Sequence, residues 1–146
     1  MRLVVQRVKS GSVTVEGEVV SRIGPGLVVL VGVKQGDTYV VALRLAQKTA
    51  NMRIFPDDQG RMNRSVLDIG GEVLAVSQFT LYGDAKKGNR PNFMLAMNGP
   101  EAEKVFSSYT RALREEHGIH VEEGVFGAMM DVELINDGPV TIIVEK

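Results

Sequence analysis

The chain has 146 residues, 44% hydrophobic and 24% charged, with a formal net charge of -1. That length suits one compact domain over residues 1–146, able to fold without disulfides or metal, and the near-neutral charge leaves any nucleic-acid contact to a local basic patch. The absence of cysteine excludes a disulfide scaffold, a thiolate nucleophile and a Cys-ligated metal.

The opening residues, MRLVVQRVKS, carry Arg2, Arg7 and Lys9 and lack an apolar h-region, so they do not read as a secretory signal. The longest apolar run, Leu27 to Val33, is too short to span a bilayer. A soluble, cytoplasmic protein with no membrane partner is expected.

Residues 2 to 9 alternate as a first strand. Ser12 to Val15 and Val19-Val20 flank a Glu16-Gly17 turn, the pattern of a hairpin. After Gly24-Pro25-Gly26 comes a continuous apolar strand, LVVLVGV, which points to burial on both faces. Asp37 or Thr38 is placed to cap a helix running to about Met52. Irregular turns follow, with a short hairpin around Asp58-Gln59-Gly60. Glu72 to Thr80 reads as a strand and Leu81 to Phe93 as a polar loop. A second helix starts at Gly99-Pro100, with proline in the favourable first position, and stops before Gly118. Ala102, Val105, Phe106, Tyr109, Ala112 and Leu113 form its apolar stripe. Three further strands are expected near 119–123, 128–136 and 140–145. The composite is a mixed α/β layered domain.

Catalytic motifs are sparse. There is no nucleophile elbow, no HExxH, no phosphate-binding loop and no dinucleotide glycine pattern. His117 and His120 sit at the end of the second helix, where His117 fits a cation near a helix C-terminus. Asp57-Asp58 fits a solvated turn, with no third hard ligand at useful spacing for a metal. Two segments remain. In Ser77-Gln78-Phe79-Thr80-Leu81, alternation along a strand puts Gln78 and Thr80 on one face and Ser77 and Phe79 on the other. Backbone N–H groups left free at a strand end can stabilise an oxyanion, but hydroxyls bonding into a turn explain the same residues. Asn136-Asp137-Gly138-Pro139-Val140-Thr141 is equally well explained as a hairpin connection, and sequence alone does not set the isomer of Pro139.

Together these two segments resemble the signature motifs of the D-aminoacyl-tRNA deacylases. Met1-Arg2 with Val5-Gln6-Arg7-Val8, Ser12 to Val15, Lys87-Gly88-Asn89-Arg90-Pro91 and Phe126-Gly127-Ala128 extend the resemblance along essentially the whole chain. The resemblance implies an α/β fold, a compact layered barrel-like β-sheet with two main helices packed outside, assembled as a homodimer. It implies hydrolysis of the ester in D-aminoacyl-tRNA, and in glycyl-tRNA mischarged on tRNA-Ala, without metal or other cofactor. Ser77, Gln78, Phe79 and Thr80 would line the scissile ester, with the Phe79 N–H as the oxyanion donor. Gly138 and Pro139 would form a Gly-cisPro dipeptide that reaches into the partner subunit's pocket and excludes L side chains. Met130 would sit beside the pocket.

Thr80 is open to two readings: its hydroxyl is a nucleophile, or, as the resemblance implies more strongly, catalysis is RNA-assisted and the 2′-hydroxyl of the terminal adenosine activates water. The sequence agrees, since no histidine, lysine or carboxylate neighbours Thr80 to make it a nucleophile, and a 2′-hydroxyl distinguishes RNA from DNA. Lys86, Lys87 and Arg90, opposed only by Asp84 between Tyr82 and Phe93, are the expected tRNA contacts, with Arg53, Arg61 and Arg64 a second set. Two positions depart from the family pattern. Met129 stands where many members have Asp, and Asn92 where Ser follows Arg-Pro. Alternation would turn Met129 away from Met130. A non-catalytic nucleic-acid-binding module and a deacylase acting on misplaced L-alanine are the competing readings; no DNA partner is expected.

Overall fold

A computed structural model of the chain describes all residues from Met1 to Lys146. Its elements in order are β1 (Arg2–Val15), β2 (Glu18–Ile23), β3 (Gly26–Gly32), α1 (Tyr39–Asn51), β4 (Phe55–Pro56), β5 (Met62–Arg64), β6 (Glu72–Ser77), a 3-10 turn (Phe79–Tyr82), α2 (Gly99–Glu115), β7 (Val121–Glu123) and β8 (Asp131–Glu145).

β1 organises the sheet. Its Arg2 to Val8 half pairs antiparallel with β3 and its Gly11 to Val15 half with β2, while β8 pairs with it from Arg2 to Thr14. A strand has two edges, so β2 and β3 must share the edge opposite β8. The sheet continues through β6 and β7, both running parallel to β3. Curled this way it is a nearly closed, barrel-like sheet. Glycine permits two of the closest approaches: a Cβ on Gly11 would lie 2.8 Å from Val28 Cγ2, and one on Gly26 would lie 1.9 Å from the Glu72 carbonyl oxygen.

Alternation divides the core. Leu3, Val5, Val29, Val31, Val73 and Ala75 face α1 and α2, and meet Leu45, Ala46, Tyr109 and Leu113 in the main core. Val8, Val13, Val28, Leu74 and Val76 point the other way, into a smaller cluster within the curl of the sheet. β3 is accordingly buried on both faces, as its unbroken apolar run required. Both helices fall where the periodicity put them, α1 behind Thr38 at its N-cap and α2 with Pro100 in its first turn. β4 and β5 form the expected short hairpin, and the Asp57 carboxylate, held well below the usual range by the N–H groups of Arg61 and Gln59, closes its turn.

Three expectations are corrected. The first strand and the first arm of the hairpin are one continuous strand, β1. The last two strands are likewise one, β8. Asn136-Asp137-Gly138-Pro139 is not a reversal but an irregularity inside β8, where the register slips between the pairs Val8–Asn136 and Gln6–Thr141. A proline is tolerated there because β8 is bonded to β1 on one side only, so a missing N–H need not interrupt a ladder. The strand expected to run to Thr80 ends at Ser77. The Gln78 backbone (φ -146°, ψ 82°) leaves the extended region, and Phe79 to Tyr82 coil into the 3-10 turn.

Candidate active site

β3–α1–β6–α2–β7 forms two successive strand–helix–strand crossovers, and in such sheets ligands collect beyond the carboxyl ends of the parallel strands. A cavity of about 480 Å3 opens there, at the ends of β3 and β6. Val31, Val33 and Val76 line one side, and Asn98, Gly99 and Ala102 at the start of α2 another. Phe126 to Met130 and Val132 close the third. Ser77, Gln78, Phe79 and Thr80 all contribute to the wall.

The turn after Ser77 sets the polar chemistry of this wall. The Gln78 N–H is the last to join the sheet ladder, donating to the Val31 carbonyl (2.8 Å). The N–H groups of Phe79 and Thr80 open the 3-10 turn, so they have no intrahelical acceptor, and no other acceptor in the protein takes them. Two adjacent donors, on residues that line the cavity, are therefore without an acceptor in the chain. Gln78 and Thr80 still share a side, although not by strand alternation: Gln78 Nε2 donates to Thr80 Oγ1. The Phe79 ring, 47% exposed, meets the Phe93 ring edge-on (centroids 5.2 Å apart).

The turn is braced from the termini of the chain. Arg2 donates through Nη1 to the Leu81 carbonyl (2.6 Å) and through Nε to Glu145 (2.9 Å), and its guanidinium lies 4.8 Å from the Tyr82 ring centre. The Tyr82 hydroxyl donates to the other Glu145 oxygen (3.3 Å). The hydrogen bond from Arg2 holds the Glu145 carboxyl below its ordinary range, and burial pushes the Tyr82 phenol up. Sequence reading missed these three residues, because nothing local links Arg2 to Glu145. It also missed the apolar walls: Val31, Val33, Met97 and Ala102 look like ordinary core positions.

No titratable side chain lines the cavity, and no group of three His, Asp or Glu side chains is arranged to hold a metal ion. His117 and His120 lie away from it; His120 sits between Glu72 and Glu122 at 3.4 and 3.2 Å. Met130 lines the cavity as expected, its Sδ occupying the space left by the missing side chain of Gly124. Met129 also borders the cavity but is 92% exposed, in keeping with surface exposure at this position. Residues 124–130 precede β8 and are not strand, so alternation does not govern them.

The other two predicted sets lie apart from the cavity within one chain. Lys86, Lys87 and Arg90 are exposed at the tip of a loop pinned at its base by paired hydrogen bonds between Asp84 and Asn92 (2.8 and 2.9 Å). Phe93, just beyond, joins the loop to the cavity mouth through Phe79. The Gly138-Pro139 peptide bond is cis, and both residues are exposed. Gly138 adopts φ +135°, a region favouring glycine. Arg7 holds the segment, donating through Nε to the Asp137 carbonyl (2.9 Å) and through Nη1 to the Ile54 carbonyl (2.7 Å). Register places Gly138-Pro139 near the Gly26 end of β3 and the cavity near Val31. At about 3.3 Å per residue these positions are roughly 17 Å apart, so one chain does not bring them together.

Comparison with known proteins identifies relatives along essentially the whole chain. The family described as D-Tyr-tRNA(Tyr) deacylase matches residues 4–145. Proteins named D-aminoacyl-tRNA deacylase from Geobacillus sp. and Thermus aquaticus are 60% and 57% identical over 146 residues, covering 100% of this chain and 95% of each relative. A solved structure described as c-Myc DNA Unwinding Element Binding Protein superposes with a TM-score of 0.94 at 44% identity, covering 100% of this chain and 99% of that one. A second, described as a probable eukaryotic D-amino acid tRNA deacylase, shares the fold with a TM-score of 0.84 at 17% identity, covering 98% of this chain and 97% of that one.

Proposed function

The chain belongs to the D-Tyr-tRNA(Tyr) deacylase family, and from that premise we propose that it hydrolyses the ester between tRNA and a D-amino acid, or glycine, while sparing L-aminoacyl esters. The observation that carries the chemistry is the cavity wall at Phe79 and Thr80: two free backbone N–H donors and no acid or base.

The ester carbonyl points at the Phe79 N–H. As water adds to the carbonyl carbon, the oxygen gains negative charge, and a donor fixed in advance stabilises that charge without reorganising. The proton of the attacking water needs an acceptor that the cavity wall does not supply. The 2′-hydroxyl of the terminal adenosine is the nearest substrate group suited to that role: it takes the water's proton and passes its own to the 3′-oxygen as the acyl C–O bond breaks, releasing the free amino acid and the tRNA 3′-hydroxyl, which makes the RNA part of the catalyst. Thr80 is not the nucleophile in this scheme. Its hydroxyl accepts a hydrogen bond from Gln78 and has no base beside it.

Selectivity comes from a second copy of the chain. Its Gly138-Pro139 reaches the cavity mouth and occupies the space an L side chain needs; a D side chain points elsewhere, and glycine has none. Two observations support the dimer. The dipeptide is exposed about 17 Å from its own cavity by strand rise. Large apolar side chains are also exposed at the cavity mouth (Met129 92%) and along β8 (Ile135 57%, Ile143 68%), the kind of surface a partner covers. Lys86, Lys87 and Arg90 contact phosphates near the 3′ end.

The deciding experiment is hydrolysis of D-Tyr-tRNA and L-Tyr-tRNA side by side by the purified protein. Loss of the D ester with the L ester intact is expected. Loss of both removes the chirality argument, and loss of neither favours a binding module. A D-Tyr-tRNA ending in 2′-deoxyadenosine should resist hydrolysis; turnover at the normal rate would exclude the 2′-hydroxyl mechanism.

A further inference from the structure

A second cleft lies along α1, lined by Arg44, Gln47, Lys48, Asn51, Met52 and Arg53. It contains three cations and two amides and no carboxylate. The segment from Tyr39 to Arg64 holds five Lys or Arg (44, 48, 53, 61, 64) and two acids (57, 58), a net +3 in a chain of net -1. α1 itself has no acidic residue. Arg64 is neutralised by Asp58 at 2.9 Å, and Arg53 bonds only the Asn63 amide oxygen (3.1 Å). Arg44 and Lys48 have neither a salt bridge nor a side-chain hydrogen bond, although they stand four residues apart on one helix face, where like charges repel. The helix dipole accounts for Lys48 in the last turn. It does not account for Arg44, two turns from the end, or Arg53, beyond it. Along the axis Arg44 to Arg53 covers roughly 13 Å, enough for successive phosphates of one strand.

The position of this cleft is fixed by Arg7. Its single guanidinium bonds the carbonyls of both Ile54 and Asp137, so the backbone that follows Arg53 and the backbone that precedes Gly138-Pro139 are tied to one side chain. Wherever that dipeptide is carried, the cleft goes with it. We propose that the α1 cleft grips the phosphate backbone of a tRNA whose aminoacyl end lies in the cavity of the partner subunit, so that each substrate is held by both chains. This rests on the cross-subunit placement of Gly138-Pro139 proposed above.

The test compares the wild type with Arg44→Gln/Lys48→Gln/Arg53→Gln on two substrates, D-Tyr-tRNA and the D-tyrosyl ester of the trinucleotide CCA. Neutralisation relieves like-charge repulsion, so the fold should be retained. For the full tRNA, KM should rise at least tenfold with kcat preserved. The dependence of log KM on log salt should become shallower by about 2, at roughly 0.7 to 0.9 for each phosphate no longer neutralised. The trinucleotide should show no comparable rise in KM. An unchanged KM for tRNA, or an equal rise on both substrates, overturns the cleft. A wild type inert on both substrates would instead defeat the deacylase reading itself. Mixed dimers then decide the geometry. With the three neutral residues on one protomer and Phe79→Pro on the other, the surviving cavity borrows an intact cleft and KM stays near the wild-type value. With all four changes on one protomer, the surviving cavity faces the damaged cleft and KM is raised. The reverse pattern overturns sharing between subunits.

Discussion

At the scale of single residues, the proposed reaction would rest on backbone donors at Phe79 and Thr80, which have no acceptor within the chain. Phe79→Pro removes one of them at the first position of a 3-10 turn, where the ring's fixed φ is tolerated. On D-Tyr-tRNA, kcat should fall by about 10²- to 10³-fold, the usual loss for one oxyanion donor, with KM little changed. Thr80→Val should cost far less; an equal loss there would restore Thr80 as a chemical participant. Glu145 carries a pH prediction. Its folded-state carboxyl titrates below its ordinary 4.5, because Arg2 bonds the charged form. The stabilisation is complete above about pH 4.5 and disappears as pH falls through the lowered folded value. Glu145→Gln should therefore be less stable than wild type at neutral pH, with the gap closing in acid, as followed by urea unfolding between pH 3 and 7. Ser77 to Thr80, a polar strand end, and Met130, placed by the family resemblance, were legible in the sequence as positions that line the cavity. Arg2, Tyr82 and Glu145 were not, because the decisive hydrogen bonds span 143 and 63 positions.

Among the elements, periodicity was a good guide where burial is one-sided or complete. α1, α2 and β3 follow it. It failed where a strand is continuous through residues that usually break strands. Ser10-Gly11 looks like an interruption in β1, yet Gly11 is there because Val28 leaves no room for a side chain. Asn136 to Pro139 is a run of turn formers, and its neighbours on both sides nevertheless pair with β1. The two helices are tied by one buried polar chain: Thr49 Oγ1 donates to the Leu45 carbonyl (2.8 Å) and lies 2.9 Å from the fully buried Tyr109 hydroxyl. The Thr49 proton is engaged by Leu45, so Tyr109 is the donor to Thr49. Tyr109→Phe removes that bond but leaves no unpaired donor, and should cost about 1 kcal/mol of unfolding free energy. A loss above about 3 kcal/mol would mean that the hydroxyl also fills space the ring alone cannot.

For the whole molecule, the arrangement of the single chain is incomplete for its proposed task. The cavity has walls on three sides, and the dipeptide proposed to guard it is not among the residues that line it. Ile143→Lys, on the exposed length of β8, should shift the protein from dimer to monomer by sedimentation. The monomer should also lose discrimination between D and L esters. Dimer loss with intact discrimination would place the chirality filter inside one chain. Neither the proposed dimer nor the proposed filter was readable from periodicity or composition, since both depend on which surfaces meet after folding.

The cavity wall without a single titratable group has a consequence for where the protein can work. An enzyme that relies on a histidine or a carboxylate inherits that group's titration as a limit on its useful pH range. Here the protein contributes amide N–H groups, which keep their protons throughout the range in which the fold survives. Under the proposed mechanism the reaction's response to acidity would belong to the substrate, and no residue of the cavity wall would set its useful pH range.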